Sequence, residues 1–188
     1  MGNMIVDIGG GTSDIAIIAL GGIVCDKSIR IAGDELTADV EEYMRRQHNI
    51  LVGERTAERI KIEVGAAIPD LDNPPPDYPV HGRDLMTGVP KEIFVSYSEI
   101  AHALDKSISK IEEAILNALE ITPPELAADI YRTGIYLTGG GALLRGLDKR
   151  ISLKTKLPVH VAEDPLRAVA RGTGIALKNA DKFPFLIR

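Results

Sequence analysis

Cys25 is the only cysteine among 188 residues, so no intramolecular disulfide can form, and a reducing, cytoplasmic compartment suits such a chain. No stretch approaches the roughly 20 consecutive apolar residues that a membrane-crossing helix requires. The N-terminus lacks the basic and apolar regions of a secretory signal peptide. No basic cluster stands out either, and a net charge of -5 with an isoelectric point near 5.4 excludes a nucleic-acid backbone as the main partner. His81 and His102 have no partner at metal-ligand spacing and read as surface or core histidines. The apolar tail Phe183-Pro-Phe-Leu-Ile187 is too short to span a bilayer and is expected to pack or fray.

What is present is a globular composition. With 45% hydrophobic and 26% charged residues over 188 positions, the chain can bury a real core, as one ordinary domain or two small ones. Its organising stretch is Met4-Ile-Val-Asp-Ile-Gly-Gly-Gly-Thr-Ser-Asp-Ile-Ala-Ile-Ile18. A short apolar run turns through three glycines and resumes as a second run, which predicts strand, turn, strand.

Gly9, Gly10 and Gly11 carry no Cβ, so the turn can point its N–H groups at an anion and is large enough to cradle a phosphate. Asp7 leaves the first strand just before it, where a carboxylate can hold a magnesium-bound water. Thr12 and Ser13 add hydroxyls at the far lip. The plainer reading is a glycine hairpin capped by Asp7. It is not a Walker A loop, because no Gly-Lys-Ser/Thr follows and the next element reads as a strand.

Gly21-Gly22 separates the second strand from a third, Ile23 to Ile31, by the two residues of a tight hairpin. Asp34 is expected to cap a helix carrying Leu36, Val40, Tyr43 and Met44 on one face. After a loop from Gln47 to Gly53, a second helix opens at Glu54. On it Glu58 and Lys61 share a face and can reach one object, unless they form only a surface ion pair.

Ala67 to Tyr78, with its three prolines, is a loop. Val80 to Asp84 and Glu92 to Val95 form two strands of a small sheet. From Ser98 a helix presents Ile108, Ile111, Ile115 and Leu119 to the core, and Pro123-Pro124 starts a short helix through Ile130.

Ile135 to Thr138 reads as a buried strand that runs into Gly139-Gly140-Gly141-Ala142 and then a helix carrying Leu143, Leu144, Leu147 and Ile151. A glycine turn feeding a helix N-terminus offers an anion free amides and the positive end of the dipole. Tight strand-to-helix packing is the alternative. Pro158 to Val161 is a last strand. Asp164-Pro165 is expected to cap a final helix with a core stripe of Leu166, Val169, Ala170, Thr173 and Leu177, in which Gly172 and Gly174 imply a close neighbour.

The two glycine turns lie about 130 residues apart, with the Glu58/Lys61 helix between them. This arrangement resembles the second half of the actin, heat-shock-chaperone and sugar-kinase superfamily. Ile31-Ala-Gly-Asp34, Gly53-Glu-Arg-Thr-Ala-Glu-Arg-Ile-Lys61, Gly82-Arg-Asp-Leu85, Pro123-Pro-Glu-Leu-Ala-Ala-Asp129, Leu137 to Asp148 and Ala162-Glu-Asp-Pro165 narrow the resemblance to the bacterial actins of the MreB family. It runs from Met4 to about Lys178.

The resemblance implies an α/β fold: an actin-like, ribonuclease H-like ATPase domain with a mixed sheet, plus a smaller inserted α+β subdomain. Residues 1–33 and 105–188 would form subdomain IIA and residues 34–104 subdomain IIB. It implies ATP or ADP with magnesium as ligands. Gly9, Gly10, Gly11 and Thr12 would hold the phosphates, and Asp7 would order the metal through water. Thr12 and Ser13 would assist catalysis. Gly33, Glu58 and Lys61 would flank the sugar and adenine, and Gly139, Gly140, Gly141 and Ala142 would line the adenosine.

It further implies a filament-forming protein that organises cell-wall synthesis and rod shape at the inner face of the cell membrane. Its partners would be copies of itself and the cell-elongation machinery. With almost no lead-in before Met4, the chain is expected to be domain II only. The first phosphate loop, the main water-positioning group and the membrane-binding elements would belong to the other half. The intact protein would be a slow ATPase, and this chain alone inactive. Other expectations are a chaperone-type or sugar-kinase-type ATPase fragment, or an interaction module whose glycine turns are structural.

Overall fold

The computed structural model describes residues 1–179, so the expectation for the Phe183–Ile187 tail lies outside the described residues. The sequence alternates apolar and polar residues at its start, and that alternation becomes strand β1 (Asn3–Ile8), with Met4, Val6 and Ile8 fully buried. β2 (Ser13–Ala19) pairs antiparallel to it, and β3 (Gly22–Ile29) pairs antiparallel to β2. The hairpin between β2 and β3 turns on Leu20 (φ 50°) and Gly21 (φ 75°), with Ala19 opposite Gly22, one residue earlier than the glycine pair suggests. Two consecutive positive φ values match the twist of the strands.

The chain then leaves the sheet as α1 (Gly33–His48), a two-residue strand β4 (Ile50–Leu51) and α2 (Glu54–Val64). The short β4, absent from the sequence reading, pairs with β5 (Tyr78–Asp84), which pairs with β6 (Pro90–Val95) in an antiparallel three-stranded sheet. α3 (Tyr97–Glu120) begins two residues after Val95. Ser96 caps it, its side chain accepting from the Glu99 amide while the Glu99 carboxylate accepts from the Ser96 amide. Ile100, Leu104, Ile108, Ile111 and Ile115 of α3 are all essentially inaccessible, a stripe at helical spacing.

α4 (Pro124–Thr133) leads into β7 (Ile135–Thr138), which lies parallel to β1, and β8 (Val159–Val161) lies parallel to β7. The resulting five-stranded mixed sheet has the order β3-β2-β1-β7-β8. Between β7 and β8 lies α5 (Leu147–Thr155), and α6 (Ala168–Lys178) closes the described chain. One continuous apolar cluster joins the two sheets, taking Met4 and Ile17 from the larger, Val80 and Val95 from the smaller, and Met44, Ile60 and Ile108 from the helices between.

Three expectations change. Asp34 is not the cap of α1, which starts at Gly33 with Ala32 at the cap position and no side-chain cap bond. The final helix starts at Ala168 rather than at Asp164-Pro165. Its apolar stripe does not face the core: Leu166, Val169 and Leu177 are exposed, and among the described residues nothing stands within 4 Å of a Cβ at Gly172 or Gly174. Periodicity reports a helix face that is apolar and cannot say what covers it.

Candidate functional site

β1 and β7 run parallel with Asp7 opposite Thr138, so the turns that follow them emerge at the same edge of the sheet. Crevices beyond the carboxyl ends of parallel strands are where open α/β sheets take ligands. The two turns are in contact through β1. Gly139 has φ +81°, and a Cβ there would collide with the Ile8 carbonyl and stand 2.5 Å from Asp7 Oδ1. A Cβ at Gly141 would stand 2.7 Å from Ile8 Cβ.

The first turn is braced from below by α1. Gly9 donates to the Thr12 carbonyl (3.0 Å), Gly33 to the Gly9 carbonyl (2.9 Å) and Asp34 to the Gly10 carbonyl (2.8 Å). Gly33 therefore makes a close backbone approach, with the place of its Cβ 3.2 Å from Gly9 O and 3.6 Å from Lys61 Nζ. Gly10, Gly11 and Thr12 are exposed, and nothing lies within 4 Å of a Cβ at Gly11. The rim of the turn is open backbone.

α2 forms the facing wall. Lys61 Nζ donates to the Gly33 carbonyl and to Thr37 Oγ1, both at 2.9 Å, and pairs with Glu58 Oε2 at 2.8 Å. Thr37 Oγ1 in turn gives its one proton to Glu58 Oε2 (2.5 Å), with the Gly33 carbonyl 3.0 Å away as the alternative acceptor. Burial pushes the Glu58 carboxyl up, but hydrogen bonds from Lys61 and Thr37 outweigh it and hold the group below its ordinary value. Glu58 and Lys61 are thus tied to α1 and are more than a surface pair. Sequence reasoning missed Thr37, whose signal was its place four residues after Gly33, on the same face of α1.

Two placements differ from expectation. Ser13 does not stand on the lip: it is fully buried and its hydroxyl donates to the Ile31 carbonyl at 2.6 Å, because the pleat turns position 13 inward. Thr12 stays at the rim, donating to Asp14 Oδ2 at 3.0 Å. The second glycine turn does not feed an α-helix N-terminus. Residues Gly140–Leu143 form one 3-10 turn, Leu144 is extended, and α5 starts only at Leu147 after Gly146 in the left-handed region. Any attraction for an anion at 139–142 comes from local backbone amides, without a helix dipole behind them. Beneath the turns, Thr138 Oγ1 is buried with no hydrogen-bond partner among the described residues.

The model of the MreB/Mbl protein family matches residues 1–184. The chain belongs to the MreB/Mbl family. The cell shape-determining protein Mbl of Bacillus subtilis is 48% identical over 183 residues, covering 97% of this chain and 54% of that protein. The cell shape-determining protein MreB of Escherichia coli is 48% identical over 180 residues, covering 96% of this chain and 51% of that protein. The crystal structure of MreB5 of Spiroplasma citri bound to AMPPNP superposes with a TM-score of 0.91 at 42% identity, covering 96% of this chain and 54% of that one. This MreB/Mbl chain therefore spans about half the length of the relatives it matches, and its actin-like fold is theirs. Membership of this family sets aside the chaperone-type and sugar-kinase-type alternatives.

Proposed function

We propose that this chain is the nucleotide-binding half of a cell shape-determining, filament-forming protein. The observation that supports it is the meeting of three segments distant in sequence: the Gly9–Thr12 turn, Gly33 with Glu58 and Lys61, and the Gly139–Ala142 turn, all at the carboxyl ends of β1 and β7. Solved structures of MreB5 of Spiroplasma citri hold AMPPNP and ADP, which supports an adenine nucleotide as the ligand here.

In this reading the exposed backbone of Gly10 and Gly11 faces phosphate oxygens, Gly9 shapes the turn through its own bond to the Thr12 carbonyl, and the Thr12 hydroxyl turns from Asp14 to join them. Glu58, Lys61 and Gly33 bound the sugar and base on one side, and Gly139, Gly140, Gly141 and Ala142 on the other. The donors suit magnesium held at a remove. Asp7 is half-buried at the end of β1, and among the described residues no three His, Cys, Asp or Glu side chains are grouped to grip a metal directly. A cation held by Asp7 through water, with phosphate oxygens completing its shell, fits that donor set. Bound, it would neutralise phosphate charge. The unpartnered Thr138 hydroxyl marks a polar position one strand away from Asp7 that a bound water would satisfy.

Residues 1–33 and 105–188 constitute subdomain IIA in this proposal, and 34–104 subdomain IIB. Phosphoryl transfer needs the terminal phosphate held on both sides with an aligned water, so one wall of a cleft hydrolyses negligibly. With Ser13 committed to Ile31, Thr12 is the hydroxyl left to assist. The exposed apolar face of α6 begins beside the second glycine turn, where Gly139 donates to the Pro165 carbonyl at 2.9 Å. In this proposal membrane association belongs to the part of the family's length that this chain does not span. Self-assembly and contact with the cell-wall elongation machinery belong to the united protein. No helix among the described residues is long and apolar enough to cross a membrane.

Calorimetric titration with magnesium-ATP and magnesium-ADP tests the proposal, with Lys61→Ala as the control. Binding that the control loses supports it. A folded chain that binds neither nucleotide, alone or with the other half supplied, overturns it.

A further inference from the structure

The segment between the second glycine turn and α5 holds an arginine that follows one wall of the crevice along the chain and bonds to the end of the other. Arg145 Nη1 donates to the carbonyls of Ile62 (3.0 Å) and Gly65 (3.3 Å), at the end of α2. These are the acceptors a helix leaves unpaired at its C-terminus, where a cation is also favoured by the dipole. The backbone follows the same route. Ala67 donates to the Arg145 carbonyl at 2.8 Å, and Ala66 and Arg145 form a lone parallel bridge between otherwise unpaired segments.

The packing around this junction leaves little play. A Cβ at Gly65 would collide with the Lys61 carbonyl and stand 3.0 Å from Leu144 Cδ1. A Cβ at Gly146, whose φ is +77°, would stand 2.6 Å from Ile68 Cγ1. Lys61 sits within this last turn of α2, since its carbonyl accepts from Gly65 at 2.8 Å. The last turn of α2, which carries Lys61, is therefore joined to the chain after the Gly139–Ala142 turn through Arg145, while the Lys61 side chain is held to α1 at Gly33 and Thr37.

We infer that Arg145 is a positioning residue that pins the last turn of α2 to the second glycine turn and so fixes the width of the nucleoside part of the crevice. It touches no ligand in this role and acts through Lys61. The inference rests on the nucleotide reading for its consequence, but its structural half stands on the Arg145 contacts alone. The Gly9–Thr12 turn is braced by α1 through Gly33 and Asp34, outside this junction, so loss of Arg145 affects the nucleoside and spares the phosphates.

The test compares the chain with Arg145→Met and Arg145→Lys variants. Magnesium-ATP and magnesium tripolyphosphate are titrated calorimetrically, and amide hydrogen exchange is followed along the chain. Arg145→Met is expected to weaken ATP about tenfold, the scale of one or two charge-assisted hydrogen bonds, with tripolyphosphate unchanged. Arg145→Lys, which reaches one carbonyl, should recover part of the loss. Exchange should quicken at 61–67 and 142–146 while the strands stay protected. Equal ATP affinity in wild type and Arg145→Met, or parallel loss of ATP and tripolyphosphate, overturns the inference. Should the wild type bind neither ligand by itself, the nucleotide reading passes to the titration with the other half supplied, and exchange alone decides the pin: local quickening at those segments sustains it, and unchanged exchange rejects it.

Discussion

Lys61 Nζ stands 2.9 Å from the carbonyl oxygen of Gly33, and through this bond the second helix is anchored on the backbone that supports the first glycine turn. The lysine side chain is only 14% exposed, so it is a fixed part of the wall. Its replacement by alanine takes a charged donor from the Gly33 carbonyl and Thr37 and a counter-ion from Glu58. Magnesium-ATP affinity is expected to fall at least tenfold by calorimetry, while stability falls by about 1 kcal/mol, the modest figure reflecting a half-exposed Glu58. Unchanged affinity would remove Lys61 from the site.

Glycines in the two turns should respond differently to a methyl group. Gly141→Ala must push Ile8 aside and is expected to cost about 2–3 kcal/mol in urea unfolding. Gly11→Ala meets open space and should melt like the wild type, yet it crowds the face proposed for phosphate and should weaken tripolyphosphate binding. If Gly11→Ala binds tripolyphosphate normally, the first turn is not a phosphate cradle.

Acid should loosen the α3 start. Burial pushes the Glu99 carboxyl up, but bonds from the Ser96 amide and from His48, 2.7 Å away, prevail and leave it below its ordinary value. A group depressed in the folded state contributes stability above its unfolded value of 4.5, and loses it as pH falls through the lower folded value. Glu99→Gln is expected to cost about 1 kcal/mol at neutral pH through the weakened capping box and to flatten the stability decline below pH 4.5. Circular-dichroism melts from pH 3 to 7 check it; parallel wild-type and variant curves would reject it.

Arg150 joins α5 to α3 and to the proline loop. It pairs with Glu112, whose side chain is 8% exposed, and with Asp105 at 2.9 Å, and donates to the Ala67 carbonyl at 3.0 Å. Arg150→Met strands Glu112 in the core and is expected to destabilise the chain by about 3 kcal/mol. The double variant with Glu112→Leu should regain most of that. A double variant no better than the single one would show that the Ala67 contact, and not the ion pair, carries the effect.

How far the sequence could be read depended on whether a feature was local. The β1–β2–β3 meander followed from period-two alternation around glycines, and α3 from its isoleucine spacing. Its start was also legible, because Ser96-Tyr-Ser-Glu99 spells a capping box, although the sequence reading placed it at Ser98. The two-residue β4 gave no periodic signal, and it exists only because β5 lies alongside. Ser13 could not be placed, since one residue of strand register decides whether a side chain faces the crevice or the core.

By itself the sequence determined the elements, the apolar faces and the two glycine turns, since backbone freedom and side-chain period are properties of neighbouring residues. Only the tertiary structure decided that β7 pairs with β1 across about 130 residues, setting Gly139 on Ile8, and that Lys61 meets Gly33 and Arg145 the end of α2. It also decided that the stripe of α6 is left uncovered by the described residues. Such contacts arise from closing long loops and filling one common core, and no local pattern encodes which distant surface a given face will meet.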